Sequence, residues 1–329
     1  MKTNSKSNTA LVLGSGAARG VAHIGVIEAL ESREIRPDMI VGSSMGAVVG
    51  AVYGAGKMDE FSEFLTSLDW RDIVYYCDFV FPQQGLLEGK RILDKLEEII
   101  GEITIEELGI PFFAVSTNLK TGQPVIFDKG KVTTALRASF SVPGIFQPAE
   151  IDEEWYLDGG LVAPLPIKQA RELGASTVIA VDLNHDQINR NTRRRTIKRF
   201  DRKDILNKPV EKNVSEEDGR VSIWNHVERR YKTVEQSMRL ALYNLIQADK
   251  LENKSPNIFD VLGSSMTIME HNLSKITLEQ YPPEILIQPR LSHLNFFDFD
   301  NAPEAIRTGY KAAVDVFDKN PEIFNHITP

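Results

Sequence analysis

The sequence has a single cysteine, Cys77, so no disulfide can form within the chain. That usage fits a reducing compartment. Long apolar runs are also missing: no uninterrupted stretch approaches the roughly 18 residues that would indicate a membrane span. The opening MKTNSKSNTA lacks the apolar segment of about 7–15 residues that a secretory signal carries. The expectation is a soluble protein, cytoplasmic or peripheral to a membrane. Positive charge is in deficit, with 38 Lys and Arg against 46 Asp and Glu and a net charge of −8. Such a chain as a whole is not built for polyanions, and no nucleic-acid partner is expected. The six histidines are scattered without metal-ligand spacing, no calcium-loop motif occurs, and no metal is expected.

What is present suits a globular fold. At 42% hydrophobic residues there is apolar material for a sizeable core, and 329 residues allow one large domain or two ordinary ones. ALVL (10–13) and MIVG (39–42) are short apolar runs that read as buried strands. Each is followed by a helical pattern, RGVAHIGVIEALES (19–32) and MGAVVGAVYGAG (45–56). Strand–helix–strand–helix in this span implies an α/β fold, with a mainly parallel sheet and helices on both faces. Further along, residues 89–100, 131–140 and 166–174 read as helices, with Gly174 as a C-terminal cap. FFAVSTNLKTGQPVIF (112–127) reads as two strands around Thr121-Gly122. Residues 176–184 and 284–291 read as strands, and 302–319 as a closing helix.

Composition changes near residue 185. The stretch 185–220 is polar, basic and then mixed in charge. From Val221 a long amphipathic helix is predicted, with Ile223, Val227, Tyr231, Val234, Met238, Leu242 and Leu245 on one face. The expected organisation is a mobile N-terminus at 1–8, one α/β domain at 9–319 carrying an insertion at 185–258, and a tail at 320–329.

Three stretches carry chemistry. In LVLGSGAARG (11–20) a strand feeds a glycine-rich turn that opens a helix, where unpartnered amides can hold an anion. Dinucleotide binding at Gly14, Gly16 and Gly20, an oxyanion hole, and a plain tight turn all fit. A dinucleotide site also calls for an acid at the end of the second strand, and none stands there. What stands there is Gly42-Ser43-Ser44-Met45-Gly46, the Gly-x-Ser-x-Gly pattern of a nucleophile elbow; a helix N-cap at Ser44 is the structural alternative. In DGG, Asp158 precedes Gly159 and Gly160, which leave its carboxylate accessible, though Asp-Gly is also an ordinary turn signal.

Taken together and in order, GSGAARGVAHIGV, GSSMG and DGG resemble the patatin-like phospholipase family over about residues 9–184. The likeness resumes at about 259–318, and GLLEG (85–89) and ASFSVPGIFQP (138–148) also match family elements. The resemblance implies a serine–aspartate dyad that needs no cofactor, with Ser44 as nucleophile and Asp158 as general base. It implies an oxyanion hole of backbone amides from Ser15, Gly16 and Ala17, with Arg19 organising the turn. Gly42, Gly46, Gly159 and Gly160 would support the two catalytic turns. Ser15 and Ala17 depart from a more glycine-rich family pattern. The implied activity is hydrolysis of phospholipid or lysophospholipid esters. A non-catalytic regulator or adaptor on the same fold, and acyl transfer to an acceptor other than water, remain alternatives.

The basic run at 190–200 and the expected helix from 223 suggest peripheral contact with anionic lipid; nucleic-acid contact is another reading of the run, and a solvated linker is the plainest. Tyr75, Tyr76, Phe79, Phe81, Leu86 and Leu87 suggest either an acyl-chain pocket or core packing. His23 is expected to be a packed helix residue.

Overall fold

The computed structural model describes residues 8–78, 87–187 and 258–321. β1 (Thr9–Leu13) runs into a 3-10 turn (Ala17–Val21) and α1 (Ala22–Glu31). β2 (Met39–Ser43) runs into α2 (Met45–Gly54), followed by α3 (Met58–Ser67), α4 (Trp70–Tyr76) and α5 (Lys90–Ile100). β3 (Phe112–Asn118), β4 (Pro124–Phe127), α6 (Val132–Ser139), β5 (Ala149–Ile151) and β6 (Glu154–Asp158) come next. α7 (Ile167–Glu172), β7 (Thr177–Val181), α8 (Ile258–Gln280), β8 (Ile285–Ile287) and α9 (Ala302–Lys319) complete the order.

The strands form one sheet. β3, β2, β1, β7 and β8 lie side by side and parallel, while β4, β5 and β6 run antiparallel. Successive side chains of a strand point to opposite faces, and the core divides accordingly. Leu11, Leu13, Ile40, Phe112, Ile179 and Val181 pack on one face with residues of α1, α2, α3, α5, α6 and α9. Ala10, Val12, Val41, Val115, Val178 and Ala180 pack on the other with Ile167 and Ala170 of α7 and Leu278 of α8. The architecture is helix–sheet–helix, as the apolar strand runs predicted. Gly174 caps α7 as expected: its φ is +94, its N–H donates to Arg171 O, and the Ala175 N–H reaches back to Ala170 O.

Chain order places the site. From β1 the chain runs outward to β2 on one side, and from β7, on its other side, it runs outward to β8, so connections from these two neighbouring strands go in opposite directions. Ligands of open α/β sheets sit outside the carboxyl ends of strands at such a switch point. The glycine-rich turn leaves from that end of β1.

β3 has three partners. β2 pairs with residues 112–115, β4 with 114–117 and β6 with 116–118. β4 overlaps both of the others, so it holds one edge of β3 alone. β2 and β6 therefore meet end to end on the other edge. Ser43 pairs with Val115, and Asp158 pairs with the next residue, Ser116. The last residue of β2 and the last residue of β6 are brought together by this shared edge.

Sequence patterning missed α3, α4, the β5–β6 hairpin and α8. Residues 188–257, which hold most of the expected insertion with its basic run at 190–200 and its expected helix from 223, lie outside the described residues, as do residues 1–7, 79–86 and 322–329. Asn8 donates its N–H to Ser176 Oγ (2.9 Å) and its side-chain amide to Gly174 O (3.2 Å), so it is tied to the start of β7. Among the described residues no helix is long and apolar enough to cross a membrane.

Candidate active site

Ser44 stands between β2 and α2 at φ 54 and ψ −123, a positive φ that non-glycine residues rarely adopt. A helix cap would put its hydroxyl on the first-turn amides, and no such bond is made. Instead Oγ donates to Asp158 Oδ2 at 2.6 Å. The hydroxyl is therefore committed to a carboxylate, which removes the cap reading. The turn is held from behind: the Ser44 N–H donates to Ser139 Oγ (2.9 Å), which donates to Val115 O (2.6 Å). Ser139 ends α6, within the stretch 138–148 that was matched without a role.

The glycines around Ser44 permit close approach. A Cβ on Gly46 would stand 2.6 Å from Gly14 O and collide with Leu13 O, so the start of α2 rests directly on the end of β1. A Cβ on Gly42 would stand 2.6 Å from the backbone of Ala47.

Asp158 is 1% exposed. Its two oxygens have separate duties. Oδ1 accepts the Gly160 N–H at 2.6 Å, the ordinary Asp-Gly turn bond, and Oδ2 accepts from Ser44. Its backbone is fixed by Ser141 O, which accepts the Asp158 N–H, and by Thr117 Oγ1, which donates to its carbonyl. Burial raises the pKa of this carboxyl from 3.8 to about 7. The bond from Ser44 opposes that rise, the charge of Glu270 adds to it, and the bond from Gly160 opposes it.

In the glycine-rich turn, the Ser15 N–H donates to Pro164 O at 2.8 Å. That commitment takes Ser15 out of the expected set of oxyanion amides, because an amide spent on a carbonyl cannot serve an anion. Among the described residues, the Gly16 and Ala17 N–H groups meet no acceptor. Ala17 is held at φ 48. Arg19 is buried, and its Nη2 donates to Asn184 Oδ1 at 3.2 Å. Asn184 Nδ2 in turn donates to Ser15 O at 3.3 Å. Arg19 thus ties the turn, through Asn184, to the loop after β7.

His23 lies buried on α1 with Nε2 2.8 Å from Gly14 O. Burial lowers its pKa to about 4, with the bond to Gly14 opposing. The neutral ring donates Nε2–H to that carbonyl and steadies the turn, as the packed-residue reading predicted.

α8, which sequence patterning missed, contributes Glu270 and His271. His271 Nδ1 donates to Asn184 O at 2.8 Å. Burial pushes the Glu270 carboxyl above its ordinary pKa; the nearby Arg19 charge and the Ser15 side chain oppose that rise, and the Asp182 charge adds to it. Its Oε1 and Asp158 Oδ1 lie 2.5 and 2.9 Å from the point that a Cβ on Gly160 would occupy. A lone glutamate in a helix carries no local signal of such a position.

The aromatic stretch divides. Tyr75 is exposed beneath the Arg91 guanidinium, Tyr76 packs edge-on against Phe64, and Leu87 is buried beside Phe146. Phe79, Phe81 and Leu86 lie outside the described residues. Among the described residues, no group of three or more His, Cys, Asp or Glu side chains stands where it could hold a metal ion.

The family model for patatin-like phospholipases matches residues 11–171. The chain carries a patatin-like domain. An uncharacterized NTE family protein of Mycobacterium bovis is 44% identical over 184 residues, covering 56% of this chain and 51% of the relative. The lysophospholipase NTE1 of Candida glabrata is 34% identical over 181 residues, covering 53% of this chain and 10% of the relative. The chain thus spans about half the length of its mycobacterial relative and a tenth of the fungal one. Among solved structures, VipD from Legionella pneumophila aligns at a TM-score of 0.44 and 14% identity, covering 95% of this chain and 67% of that one. The turn at 14–20, Ser44, Ser139 and Asp158 all lie inside the matched patatin-like span. Asn184, Glu270 and His271 lie beyond it.

Proposed function

We propose that this chain is a lipid acyl hydrolase of the phospholipase A or lysophospholipase type. The observation that carries the reading is the 2.6 Å bond from Ser44 Oγ to a buried Asp158, made from a backbone turn that non-glycine residues rarely adopt. A serine hydroxyl becomes a competent nucleophile when an adjacent base takes its proton. Asp158 takes that proton as Ser44 attacks the ester carbonyl, and returns it to the departing alcohol. The Gly16 and Ala17 amides stabilise the tetrahedral oxyanion, the role that unspent backbone N–H groups suit. Water then attacks the acyl-enzyme, with Asp158 again as base, and releases the fatty acid. A carboxyl with a pKa near 7 suits both halves, because it can hold and release a proton at neutral pH. The name of the fungal relative supports a lysophospholipid substrate class. Peripheral contact with anionic lipid, through 190–200 and the helix from 223, completes the reading.

A fluorophosphonate probe tests it, because such a probe tags only an activated serine. Wild type is expected to label, Ser44→Ala not at all, and Asp158→Asn far more slowly. Folded wild type that fails to label would leave Ser44 without activation and favour a non-catalytic adaptor. Product analysis with lysophospholipid in water, with and without added alcohols, separates hydrolysis from acyl transfer.

A further inference from the structure

The reaction described above depends on where two backbone N–H groups point. Every described peptide unit is trans, so its N–H and C=O point in opposite directions in one plane. A bond that holds a carbonyl of the glycine-rich turn therefore aims the N–H of the residue that follows. The Gly16–Ala17 unit is held within the turn, since Gly16 O accepts the Arg19 N–H at 3.0 Å. The Ser15–Gly16 unit is held from outside. Among the described residues, the donor that Ser15 O meets is the side-chain amide of Asn184, whose Nδ2 lies 3.3 Å from Ser15 O and 3.4 Å from Ser15 Oγ. Gly16 has no Cβ to resist rotation of this unit, so hydrogen bonds must supply the hold.

Asn184 is itself firmly placed. It is 1% exposed, and a buried amide is costly unless its polar atoms are bonded. Its Oδ1 accepts from Arg19 Nη2 at 3.2 Å. A guanidinium has donors only, so the amide oxygen lies on that side and the NH2 group turns to Ser15. The Asn184 N–H donates to Asp182 Oδ1 at 3.0 Å, and His271 Nδ1 of α8 donates to Asn184 O at 2.8 Å. Gln288, just after β8, donates Nε2–H to Asp182 Oδ2 at 2.9 Å. The loop after β7, α8 and the chain after β8 thus converge to fix one side chain on one carbonyl, and all of them lie beyond the matched family span.

We propose that Asn184 is a positioning residue of the oxyanion site: by holding Ser15 O it aims the Gly16 N–H at the oxygen that becomes negative in the transition state. The proposal rests on the reading of Gly16 as an oxyanion donor to the ester that Ser44 attacks. Ser15 is anchored on its amino side as well, where its N–H donates to Pro164 O at 2.8 Å. With both sides of Ser15 held, the Gly16 amide is set before substrate arrives, and a donor fixed in advance needs no reorganisation at the moment of reaction.

The sequence offers a direct readout, because Ser15-Gly16 is its only Ser-Gly pair. Protein made by cell-free synthesis with carbonyl-13C serine and 15N glycine shows one amide coupled to a labelled carbonyl, that of Gly16. Its residual dipolar coupling in a weakly aligning medium reports the direction of the Gly16 N–H, and the other glycine amides report the alignment. Asn184→Asp keeps an oxygen toward Arg19 and loses the N–H to Ser15 O. Asn184→Leu, of similar size and with neither bond, serves should the aspartate variant fold poorly. In either variant the Gly16 coupling is expected to change while those of Gly25 in α1 and Gly50 in α2 stay. Lysophospholipid hydrolysis is expected to slow about a hundredfold in kcat with KM near wild type, the split that marks a contact made only in the transition state.

An unchanged Gly16 coupling in a folded variant overturns the proposal whatever the activity. A changed coupling with kcat at the wild-type value overturns it too, because the aim of that amide would then not matter. A shift of all the glycine couplings with a raised KM marks general loosening and also counts against it. A changed Gly16 coupling in a protein whose wild type neither labels with fluorophosphonate nor cleaves ester upholds the hold of Asn184 on the peptide and overturns the hydrolase reading instead.

Discussion

Replacing Asp158 with asparagine is expected to stabilise the fold near neutral pH while greatly weakening the activation of Ser44. The reasoning starts from the proton. In the unfolded chain Asp158 ionises near 3.8, and in the folded protein burial moves that to about 7. Between those values the native state binds a proton that the unfolded state has released. Stability contributed by this group is then fully present below about pH 4 and is lost as pH rises to 7, at about 1.4 kcal/mol per unit. Over a shift of some three units the loss sums to about 4 kcal/mol, which is a ceiling because relaxation and water entry lower it. The asparagine amide that replaces the carboxylate would keep the bond from the Gly160 N–H and donate an N–H to Ser44 Oγ, with no charge to desolvate.

His23 acts in the opposite sense over nearly the same range. Its pKa falls from 6.5 to about 4 on folding. It therefore contributes stability above pH 6.5 that is lost as pH falls to 4, by up to about 3 kcal/mol. In wild type the two slopes offset each other, so a wild-type profile alone conceals both. Differences between variants separate them. Urea denaturation from about pH 4 to 8 is expected to show Asp158→Asn gaining on wild type as pH rises. His23→Gln, which can still donate to Gly14 O, is expected to gain on wild type as pH falls. An Asp158→Asn difference that stays flat from about pH 4 to 7 would refute the burial argument and, with it, a base poised near neutrality.

Three further outcomes follow from the same geometry. Ester hydrolysis should rise about tenfold per pH unit below 7 and level off above it, as expected where one ionised base is required; a profile flat from about pH 5 to 9 would disconnect Asp158 from the rate. Ser139→Ala leaves the buried Ser44 N–H without its acceptor, so it should cost about 1–3 kcal/mol by urea denaturation and slow fluorophosphonate labelling; full stability with full labelling would show that the turn holds itself. Gly46→Ala should be worse than Gly20→Ala, by thermal melting and by activity alike. The first drives a methyl into the backbone of Leu13 and Gly14, the second into the side chain of Met45, and overpacking of this kind costs about 1–3 kcal/mol or more where backbone must move.

Local rules made much of this protein readable. β1 and β2 were legible because a parallel strand buried on both faces is a short apolar run, and ALVL and MIVG are such runs. α9 was legible to the residue because Asn301 precedes an apolar stripe with a proline in its first turn. The elbow was legible as a pattern, but whether Ser44 caps a helix or attacks an ester depends on where its hydroxyl goes. That is decided by β6, which the sequence analysis did not identify. Three-residue and five-residue strands such as β5 and β6 offer too few positions for an alternation to show. Asp158 was found only by likeness to a family. Its physical placement comes from β3, whose one edge serves β2 and then β6. α3 was missed for a related reason: only Phe61 and Leu65 are buried on it, too narrow a stripe to stand out from polar chain.

The amides of the glycine-rich turn show a different kind of limit. Ser15, Gly16 and Ala17 are equivalent in sequence, each a small residue at the mouth of a helix. What separates them is a carbonyl from a distant loop: Pro164 O takes the Ser15 N–H and leaves the other two. Glu270 is the extreme case. Nothing in the HNLSK sequence that follows marks it, and α8 begins where the expected insertion ends. It stands beside Asp158 where Gly160, lacking a side chain, leaves room for Glu270 Oε1 and Asp158 Oδ1 together. The span matched by the family model, residues 11–171, contains Ser44 and Asp158. Of the groups that bear on the Asp158 carboxyl, Ser44 and Gly160 lie within that span and Glu270 beyond it.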